Sequence, residues 1–191
     1  MKIKDIYTLY SKHFLVDTDT RNIRKNTIFF ALKGSNFNGN TFAEKALSLG
    51  AMYSIVDEKK YQTNANIILV DDVLETLQQL ANFHRKQLNI PIIGLTGSNG
   101  KTTTKELINA VLTKEYHTTA TQGNLNNHIG VPLTLLSMTP KTDIGIVEMG
   151  ANHRKEIEFL CAIATPDFGY ITNFGKAHLE GFGSLEGVIE G

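Results

Sequence analysis

The stretch that decides the fold is Gly94-Leu-Thr-Gly-Ser-Asn-Gly-Lys-Thr-Thr-Thr104. It follows an apolar run, Pro91-Ile-Ile93, that is typical of a buried strand, and it precedes residues 105–112, which have a helical pattern. A strand, a glycine-rich loop, a Lys-Thr pair and a helix in this order are typical of a site for nucleotide phosphates. The glycines let the backbone present its N–H groups, and the helix N-terminus adds positive potential. Lys101 supplies a mobile cation, and Thr102 can offer a hydroxyl to a magnesium ion.

The spacing of this loop differs from the usual phosphate-binding pattern, which has a glycine five residues before the glycine of Gly-Lys. Leu95 occupies that position here, and the available glycines are Gly94 and Gly97. An ordinary glycine turn at the start of a helix is the alternative interpretation. The strand before the loop, the helix after it and the three consecutive threonines favour phosphate binding.

The charge balance argues against a nucleic-acid or membrane partner. The 191-residue chain has 19 basic and 19 acidic side chains, and 41% of its residues are hydrophobic, which is normal for a globular protein of one or two domains. A formal net charge of zero gives no global field, so an anionic ligand has to be held locally. We expect no nucleic-acid partner, and no membrane insertion because no segment approaches the length of a membrane span.

Cysteine usage and the N-terminus indicate the compartment. The single cysteine, Cys161, excludes an internal disulfide and lies in the apolar helical stretch 156–164, where we expect buried packing. The N-terminus, Met1-Lys-Ile-Lys-Asp-Ile6, has no apolar core of signal-peptide length. We therefore expect a cytoplasmic protein.

The first half, residues 1–88, contains several predicted strands and two helices. Strands are expected at residues 27–32, 51–56 and 66–70, and a helix is expected from Thr41, as its cap, to Gly50. Asp71 or Asp72 should cap a longer helix. The apolar face of that helix, at spacings of three and four, comprises Val73, Leu77, Leu80, His84 and Leu88. We interpret His84 as a packed or rim histidine rather than a ligand.

The second half, residues 89–191, alternates strands with helices. Strands are expected at 91–96, 143–149 and 168–172, and helices at 101–112 and about 154–164. This alternation predicts an α/β fold with a parallel sheet covered by helices.

Polar residues follow the strands at the points where ligands bind in parallel sheets, beyond the carboxyl ends. Glu148 ends an apolar strand, where a carboxylate is costly to desolvate unless it is paired. A magnesium ion beside the loop would stabilise it, and a nearby basic side chain is the alternative partner. Asn173 and His178 follow the last strand, and His178 is either a metal ligand or phosphate contact, or an ordinary polar residue.

An asparagine-rich segment, Thr121-Gln-Gly-Asn-Leu-Asn-Asn-His-Ile-Gly-Val-Pro132, precedes an apolar helix at 133–136. Its neutral amides suit recognition of carboxylate, amide or phosphate groups, and a polar turn with Asx caps is the alternative. The segment Asn152-His-Arg154 is similarly either a helix cap or a polar patch at the site.

Together these residues resemble one enzyme family. The loop Thr96-Gly-Ser-Asn-Gly-Lys-Thr102, Glu148 and the pair Asn173…His178 resemble the ATP-binding domain of the Mur ligases, which build the peptide stem of bacterial peptidoglycan. Residues 124–136 and 148–153 resemble the branch of the family that adds D-alanyl-D-alanine to UDP-N-acetylmuramoyl-tripeptide.

The first half resembles the UDP-sugar-binding domain of the same family, through Asp19-Thr-Arg21, Phe29-Phe-Ala-Leu-Lys-Gly34 and Asn38-Gly39. The usual family wording is Asp-Ser-Arg and Asp-Gly-His. Thr20 keeps the hydroxyl of the serine, whereas Asn38 and Asn40 lose a charge and an imidazole. The resemblance implies a UDP-sugar-binding domain at 1–88 and a central ATP-binding domain at 89–191.

The resemblance implies an ATP-dependent amide ligase that acts through an acyl phosphate, with ATP and Mg²⁺. Lys101, Glu148 and His178 are implied to be catalytic. Magnesium is implied to bind Thr102 and Glu148, with His178 helping to bind a second ion. The ATP-binding residues implied are Thr96, Gly97, Ser98, Asn99, Gly100, Lys101, Thr102 and Thr103. The substrate-binding residues implied are Thr20, Arg21, Lys33, Gly34, Asn38, Gly39, Asn124, Asn126 and Asn127.

The family also carries a lysine, modified to a carbamate, shortly after the histidine, and a third domain that engages ATP and the incoming dipeptide. Neither precedes Gly191, so we expect a truncated central domain, an N-terminal portion of a ligase that is inactive alone and monomeric when full length. Three alternatives stay open: a P-loop phosphotransferase or NTPase, a folate polyglutamate ligase, and a non-catalytic binding module.

Overall fold

The computed structural model describes residues 1–175 and 179–190 and divides into two compact units, Met1–Phe83 and His84–Gly191. The division falls within the helix Val73–Leu88, and the predicted boundary near residue 88 lies at the end of the same helix.

The first unit is built on a four-stranded parallel sheet. Its order is β1 (Val16–Asp17), β2 (Ile28–Phe30), β5 (Tyr53–Val56) and β6 (Ile67–Leu69). A short antiparallel hairpin, β3 (Lys33–Gly34) with β4 (Phe37–Asn38), follows β2. The helices are α1 (Ile3–Tyr10), α2 (Ala43–Ser48) and α3 (Val73–Leu88), with 3₁₀ turns at Thr20–Asn22, Gly39–Phe42 and Lys59–Tyr61.

The three strands predicted for the first unit are confirmed as β2, β5 and β6. Apolar residues of these strands form the core of the unit together with small residues of α2. The predicted start of α2 at Thr41 is wrong. Asn38 caps the preceding 3₁₀ turn by accepting a hydrogen bond from the Asn40 amide at 3.0 Å, and the Thr41 hydroxyl donates to the Asn38 carbonyl. The turn therefore takes the first residues, and α2 begins at Ala43.

Asp72 caps α3, as one of the two predicted candidates, since its Oδ1 accepts a hydrogen bond from the Glu75 amide at 2.7 Å. The predicted apolar face is buried along most of its length. His84 is fully buried on it, and its Nε2 lies 2.9 Å from the Met138 carbonyl oxygen. Burial lowers the pKa of His84. The prediction of a packed histidine is confirmed.

The second unit has the order β10 (Phe168–Ile171), β7 (Ile92–Thr96), β9 (Ile144–Glu148) and β8 (Thr118–Ala120), all parallel. The helices are α4 (Lys101–Leu112), α5 (Gly130–Ser137), α6 (Glu156–Ala164), α7 (Leu179–Phe182) and α8 (Leu185–Glu190). The predicted α/β fold with a parallel sheet is confirmed. Because β7 lies between β10 and β9, their carboxyl ends meet at one edge: Thr96 pairs with Ile171, and Leu95 with Glu148.

A nearly buried arginine fixes the opposite end of β7. Arg85 donates to the carbonyl oxygens of Ile90, Ala164 and Thr165 at 3.0–3.3 Å, and it pairs with Asp167 at 2.7 Å. The same Asp167 oxygen accepts a hydrogen bond from the Ile92 amide. Arg85 thus joins the end of α6 to the start of β7.

Cys161 is half-buried rather than fully buried, and its Sγ lies 3.7 Å from the Met149 sulfur. Burial raises the pKa of its thiol, which fits packing rather than reactivity. Within residues 1–175 and 179–190, no helix is long and apolar enough to cross a membrane.

Candidate nucleotide and metal site

The phosphate loop, residues 97–100, connects β7 to α4 through two left-handed glycines. Gly97 has φ +131° and Gly100, directly before the helix, has φ +77°. These are conformations that a side chain would strain. The Lys101 ammonium donates to the Gly97 carbonyl at 2.6 Å, so the predicted phosphate-binding lysine lies across its own loop.

The loop leaves backbone donors at the start of α4. The Ser98 amide donates to the Asn173 carbonyl at 3.0 Å. In the part of the chain that the structure describes, the amides of residues 99–102 donate to no protein acceptor. Unpaired amides at the N-terminus of a twelve-residue helix, beside a lysine, form an anion-binding site.

A short segment after β10, residues 172–175, braces the phosphate loop. The Thr172 hydroxyl and the Asn173 side chain both donate to the Asn99 carbonyl, at 2.7 and 3.0 Å. The Ser98 hydroxyl donates to the Gly175 carbonyl at 3.1 Å. Asn173 is thus placed at the loop, as predicted. The sequence predicts no role for Thr172, the last residue of the predicted strand, or for Gly175.

Glu148 is almost fully buried at the end of β9, with 1% of its surface exposed. Its Oε1 accepts hydrogen bonds from Asn126 Nδ2 at 2.9 Å and from the Thr102 hydroxyl at 3.3 Å. Its Oε2 is buried and has no hydrogen-bond partner among the described residues. The partners found for this carboxylate are therefore an amide and a hydroxyl, not the basic side chain of the alternative interpretation.

The donor set beside Glu148 fits a magnesium ion. A buried carboxylate oxygen without a partner, next to a threonine hydroxyl and a phosphate loop, supplies the oxygen ligands that Mg²⁺ prefers. Within the described residues, no group of three or more His, Cys, Asp or Glu side chains could hold a metal. A magnesium ion here would accordingly be held by Thr102, Glu148 and oxygens from nucleotide and water.

Two cavities adjoin Lys101. One, of about 150 Å³, is bounded by the phosphate loop and by apolar residues that include Ile157, Ile171 and Phe174. The other, of about 620 Å³, is lined by Lys101, Asn124, Asn126, Asn127, His128, Gly150, Ala151, Asn152, Arg154, Lys155, Glu156, Phe159 and Leu160. The asparagines predicted from the sequence therefore share a cavity with Lys101, the lysine predicted to bind phosphate.

The three asparagines of this segment have different contacts. Asn126 is bound to Glu148, as described above. Asn127 Oδ1 accepts hydrogen bonds from the Ile129 and Gly130 amides at 2.9–3.0 Å, which is the Asx cap of the alternative interpretation. Asn124 lines the cavity.

The segment Asn152–Arg154 precedes α6 and lines the larger cavity. The residue at the N-cap of α6 is Lys155, and its side chain makes no capping hydrogen bond. The amides of Asn152 and His153 instead donate to Glu156 Oε2, in the first turn of the helix, at 2.6 and 3.1 Å. These hydrogen bonds lower the pKa of Glu156. The helix-cap interpretation is therefore wrong, whereas Asn152 and Arg154 contribute to the cavity wall and their place in a binding site stays a prediction.

In the first unit, the residues predicted to bind the UDP-sugar lie in two places. One is the 3₁₀ turn after β1, and the other is the hairpin β3–β4 that follows β2, with the turn after it. Arg21 donates through its guanidinium and its amide to Asp19, and these hydrogen bonds lower the Asp19 pKa to about 2. Thr20 begins the same 3₁₀ turn. Arg21 is thus pre-oriented by Asp19, and its side chain stays largely exposed.

Lys33, Asn38 and the buried Asn40 belong to one polar network. Lys33 pairs with Asp57 at 3.0 Å, Asn40 Nδ2 donates to the same carboxylate at 2.8 Å, and Asn38 donates to Glu58. Gly39 has no room for a side chain, because a Cβ would lie 2.3 Å from the Leu32 carbonyl oxygen, whereas Gly34 faces open space. Substrate binding by these residues stays a prediction.

The predicted second metal ligand, His178, lies outside the described residues. Two residues for which the sequence predicts no individual role lie close to the site. Lys105 is buried in α4, and Thr121 is buried at the end of β8. A lysine four residues after Lys101 follows the helical period, but its burial depends on a partner that the sequence does not reveal.

Two family models match the chain. One, described as the Mur ligase family catalytic domain, matches residues 13–85. The other, described as the Mur ligase middle domain, matches residues 95–191, which is half of the chain and includes the phosphate loop and Glu148. The chain belongs to the Mur ligase family.

Two curated relatives of this Mur ligase chain carry the same name, UDP-N-acetylmuramoyl-tripeptide–D-alanyl-D-alanine ligase. The protein of Bacillus subtilis is 45% identical over 177 residues, and that of Escherichia coli is 41% identical over 175 residues. The alignments cover 92% of this chain but only 39% and 38% of the relatives. The chain thus spans about two-fifths of the length of the curated relatives it matches.

Solved structures of Mur ligases have the same fold. A crystal structure of MurF from Acinetobacter baumannii gives a TM-score of 0.83 at 36% identity, covering 91% of this chain and 38% of that one. The MurF ligase of Thermotoga maritima in complex with ADP gives 0.83 at 35% identity, covering 100% of this chain and 43% of that one.

Proposed function

We propose that this chain supplies the nucleotide-binding and precursor-binding parts of a cytoplasmic, ATP-dependent ligase that adds D-alanyl-D-alanine to UDP-N-acetylmuramoyl-tripeptide. The observation that carries the proposal is the buried, unpartnered Oε2 of Glu148 beside Thr102 and the open amides of the phosphate loop. The names of the relatives and the ADP complex of the Thermotoga protein support the choice of reaction and nucleotide.

The loop binds the nucleotide in this proposal. The amides of residues 99–102 and the Lys101 ammonium, released from the Gly97 carbonyl, hold the phosphates. A bound Mg²⁺ would supply charge neutralisation at the phosphate oxygens, held by Thr102 and Glu148. The brace formed by residues 172–175 keeps the Asn99 carbonyl away from the bound anion.

The asparagine-lined cavity is proposed to receive the stem peptide. Lys101 and Asn124 both line it, so the peptide's terminal carboxylate would lie next to the nucleotide phosphates. In the proposed reaction, this carboxylate takes the terminal phosphoryl group of ATP, giving an acyl phosphate and ADP. The amine of D-alanyl-D-alanine then attacks the acyl carbon, and phosphate leaves as the amide forms and a proton is lost. Positioning and electrostatic stabilisation are the protein's contribution.

The test is a binding experiment on the 191-residue chain. We expect ADP to bind more tightly with Mg²⁺ than in EDTA, and Lys101→Ala to weaken ADP about tenfold to hundredfold, the effect of losing one charged hydrogen bond. Lys141→Ala is the control: it changes an exposed lysine and should leave the affinity for ADP unchanged.

Binding of the precursor is tested separately. The chain is titrated with UDP-N-acetylmuramoyl-tripeptide, and the NMR signals of the backbone amides of Thr20, Arg21, Gly34 and Asn124 are followed. Shifts at these residues support the proposal. Equal binding of a folate in place of the precursor, or the absence of any ADP binding, would contradict it.

A further inference from the structure

Lys105 is a buried cation that the proposed reaction does not use. It lies on α4, one turn after Lys101 and Thr102, and only 1% of its surface is exposed. Its ammonium donates to the Thr121 carbonyl at 2.6 Å and pairs with Glu106 Oε1 at 2.8 Å. Burying a lysine costs free energy unless its ammonium is paired, and these two contacts, one of them to the backbone after β8, offset that cost.

Thr121, its partner, connects three parts of the metal site. The Thr121 amide donates to the Ile146 carbonyl of β9 at 2.9 Å, and the Thr121 hydroxyl accepts from the Glu148 amide at 2.9 Å. Thr121 also begins the segment that carries Asn126, whose side chain binds the Glu148 carboxylate and whose carbonyl accepts from the Gly150 amide. Moving Thr121 would therefore move both the backbone and the hydrogen-bond partner of Glu148.

Lys105 and Thr102 lie on the same helix and connect it to Glu148 by two routes. Thr102 reaches Glu148 Oε1 directly at 3.3 Å, and Lys105 reaches the carbonyl of Thr121, whose hydroxyl accepts from the Glu148 amide. Lys105 thereby ties α4 to the backbone that supports Glu148.

We propose that Lys105 is a positioning residue that, through the carbonyl of Thr121, holds Glu148 at the place where its carboxylate and the Thr102 hydroxyl can share a divalent cation. This inference rests on the proposed function, since it assigns a metal to that pair. The proposal predicts that removing the Lys105 ammonium weakens binding of the metal ion but does not weaken binding of ADP in the absence of metal.

The experiment compares Lys105→Met with the wild-type chain. Methionine fills a similar volume without the donor, and the partner that remains, Glu106, is largely exposed, so the substitution leaves no unpaired buried charge there. If Lys105 served packing alone, Lys105→Met would leave the site unchanged. We expect instead that Mn²⁺, used as a spectroscopic probe with ADP, binds about tenfold to hundredfold more weakly, the usual effect of losing an outer-shell partner. ADP affinity in EDTA should stay within about twofold, because the phosphate loop is untouched.

A second pair of variants tests the link from Thr121 to Glu148, which the positioning role requires, and it does so even if Lys105→Met fails to fold. Thr121→Val removes the hydroxyl that accepts from the Glu148 amide but keeps the carbonyl that Lys105 contacts. Thr121→Ser keeps both. We expect weaker Mn²⁺ binding in Thr121→Val and near wild-type binding in Thr121→Ser.

A readout without any ligand separates this inference from the proposed function. The backbone amide of Glu148 and the side-chain amide of Asn126 should shift in the ¹H–¹⁵N spectrum of ligand-free Lys105→Met. Unchanged signals, or unchanged Mn²⁺ affinity in both Lys105→Met and Thr121→Val, would overturn the positioning role. A wild-type chain that binds no ADP would contradict the proposed function, and the amide shifts would still decide the positioning of Glu148.

Discussion

Gly97 and Thr172 approach so closely that the phosphate loop has no room for a side chain: a Cβ on Gly97 would lie 2.1 Å from the Thr172 hydroxyl oxygen. That hydroxyl is itself held by its hydrogen bond to the Asn99 carbonyl. The shape of the loop thus depends on a segment 75 residues away in sequence, at the end of the neighbouring strand.

The first prediction concerns this contact. Gly97→Ala should displace residues 172–175 and strain a backbone at φ +131°, so ADP binding should weaken at least about tenfold. Calorimetric titration of ADP measures the effect. Gly169→Ala is the matched control, because a Cβ there meets nothing within 4 Å. Equal ADP affinity in Gly97→Ala and Gly169→Ala would show that the contact does not shape the site.

The second prediction concerns Glu148, whose Oε2 has no hydrogen-bond partner among the described residues. Glu148→Gln keeps the shape of the side chain but removes a buried charge, so the free energy of unfolding of the ligand-free chain should not fall and should rise by about 1 kcal/mol. Magnesium-dependent tightening of ADP binding should be lost at the same time. Urea unfolding and ADP titration with and without Mg²⁺ measure the two effects, with exposed Glu115→Gln as the control. Destabilisation without loss of the magnesium effect would mean that Glu148 is structural.

The third prediction concerns the ion pair at the other end of β7. Arg85→Met should lower the free energy of unfolding by about 3 kcal/mol, since it removes the donor to three carbonyl groups and the cationic partner of Asp167, which keeps only the Ile92 amide. Arg21→Met removes an exposed ion pair with Asp19 and should leave the free energy of unfolding almost unchanged, because water solvates both groups. Urea unfolding followed by circular dichroism compares them. Similar losses of unfolding free energy in Arg85→Met and Arg21→Met would contradict the conclusion that burial strengthens the contacts of Arg85.

The elements that sequence alone predicted are those with a local cause. The sequence predicts the helix at 101–112 with the bounds that the structure shows, because the glycine loop directly precedes it and the helical period lies within it. Glu148 was placed at the site because parallel strands end at one edge. Strand β1 is not predicted because two residues are too short for a pattern, and β8, Thr118–Ala120, lacks the apolar run that marks the equally short β2 and β6.

The rest of the site depends on tertiary contacts. Asn126 and Asn127 look equivalent in sequence, yet one binds a carboxylate and the other caps a helix. In the sequence, Lys105 resembles an ordinary surface lysine. Only the folded structure places its ammonium beside the Thr121 carbonyl. Thr41 is a good cap by residue type, but Asn38 forms the cap first.

The fourth prediction concerns pH. Burial lowers the pKa of His84 below its usual value of about 6.5, so the unfolded chain binds a proton there more readily than the folded one. The stability contributed by neutral His84 is therefore fully present above about pH 6.5 and is lost as the pH falls toward the folded-state pKa, with a slope of at most about 1.4 kcal/mol per pH unit. His84→Gln can still donate to the Met138 carbonyl but does not titrate. Urea unfolding of both proteins between pH 7.5 and 5 should give curves that converge as the pH falls, and parallel curves would exclude His84 as the titrating group.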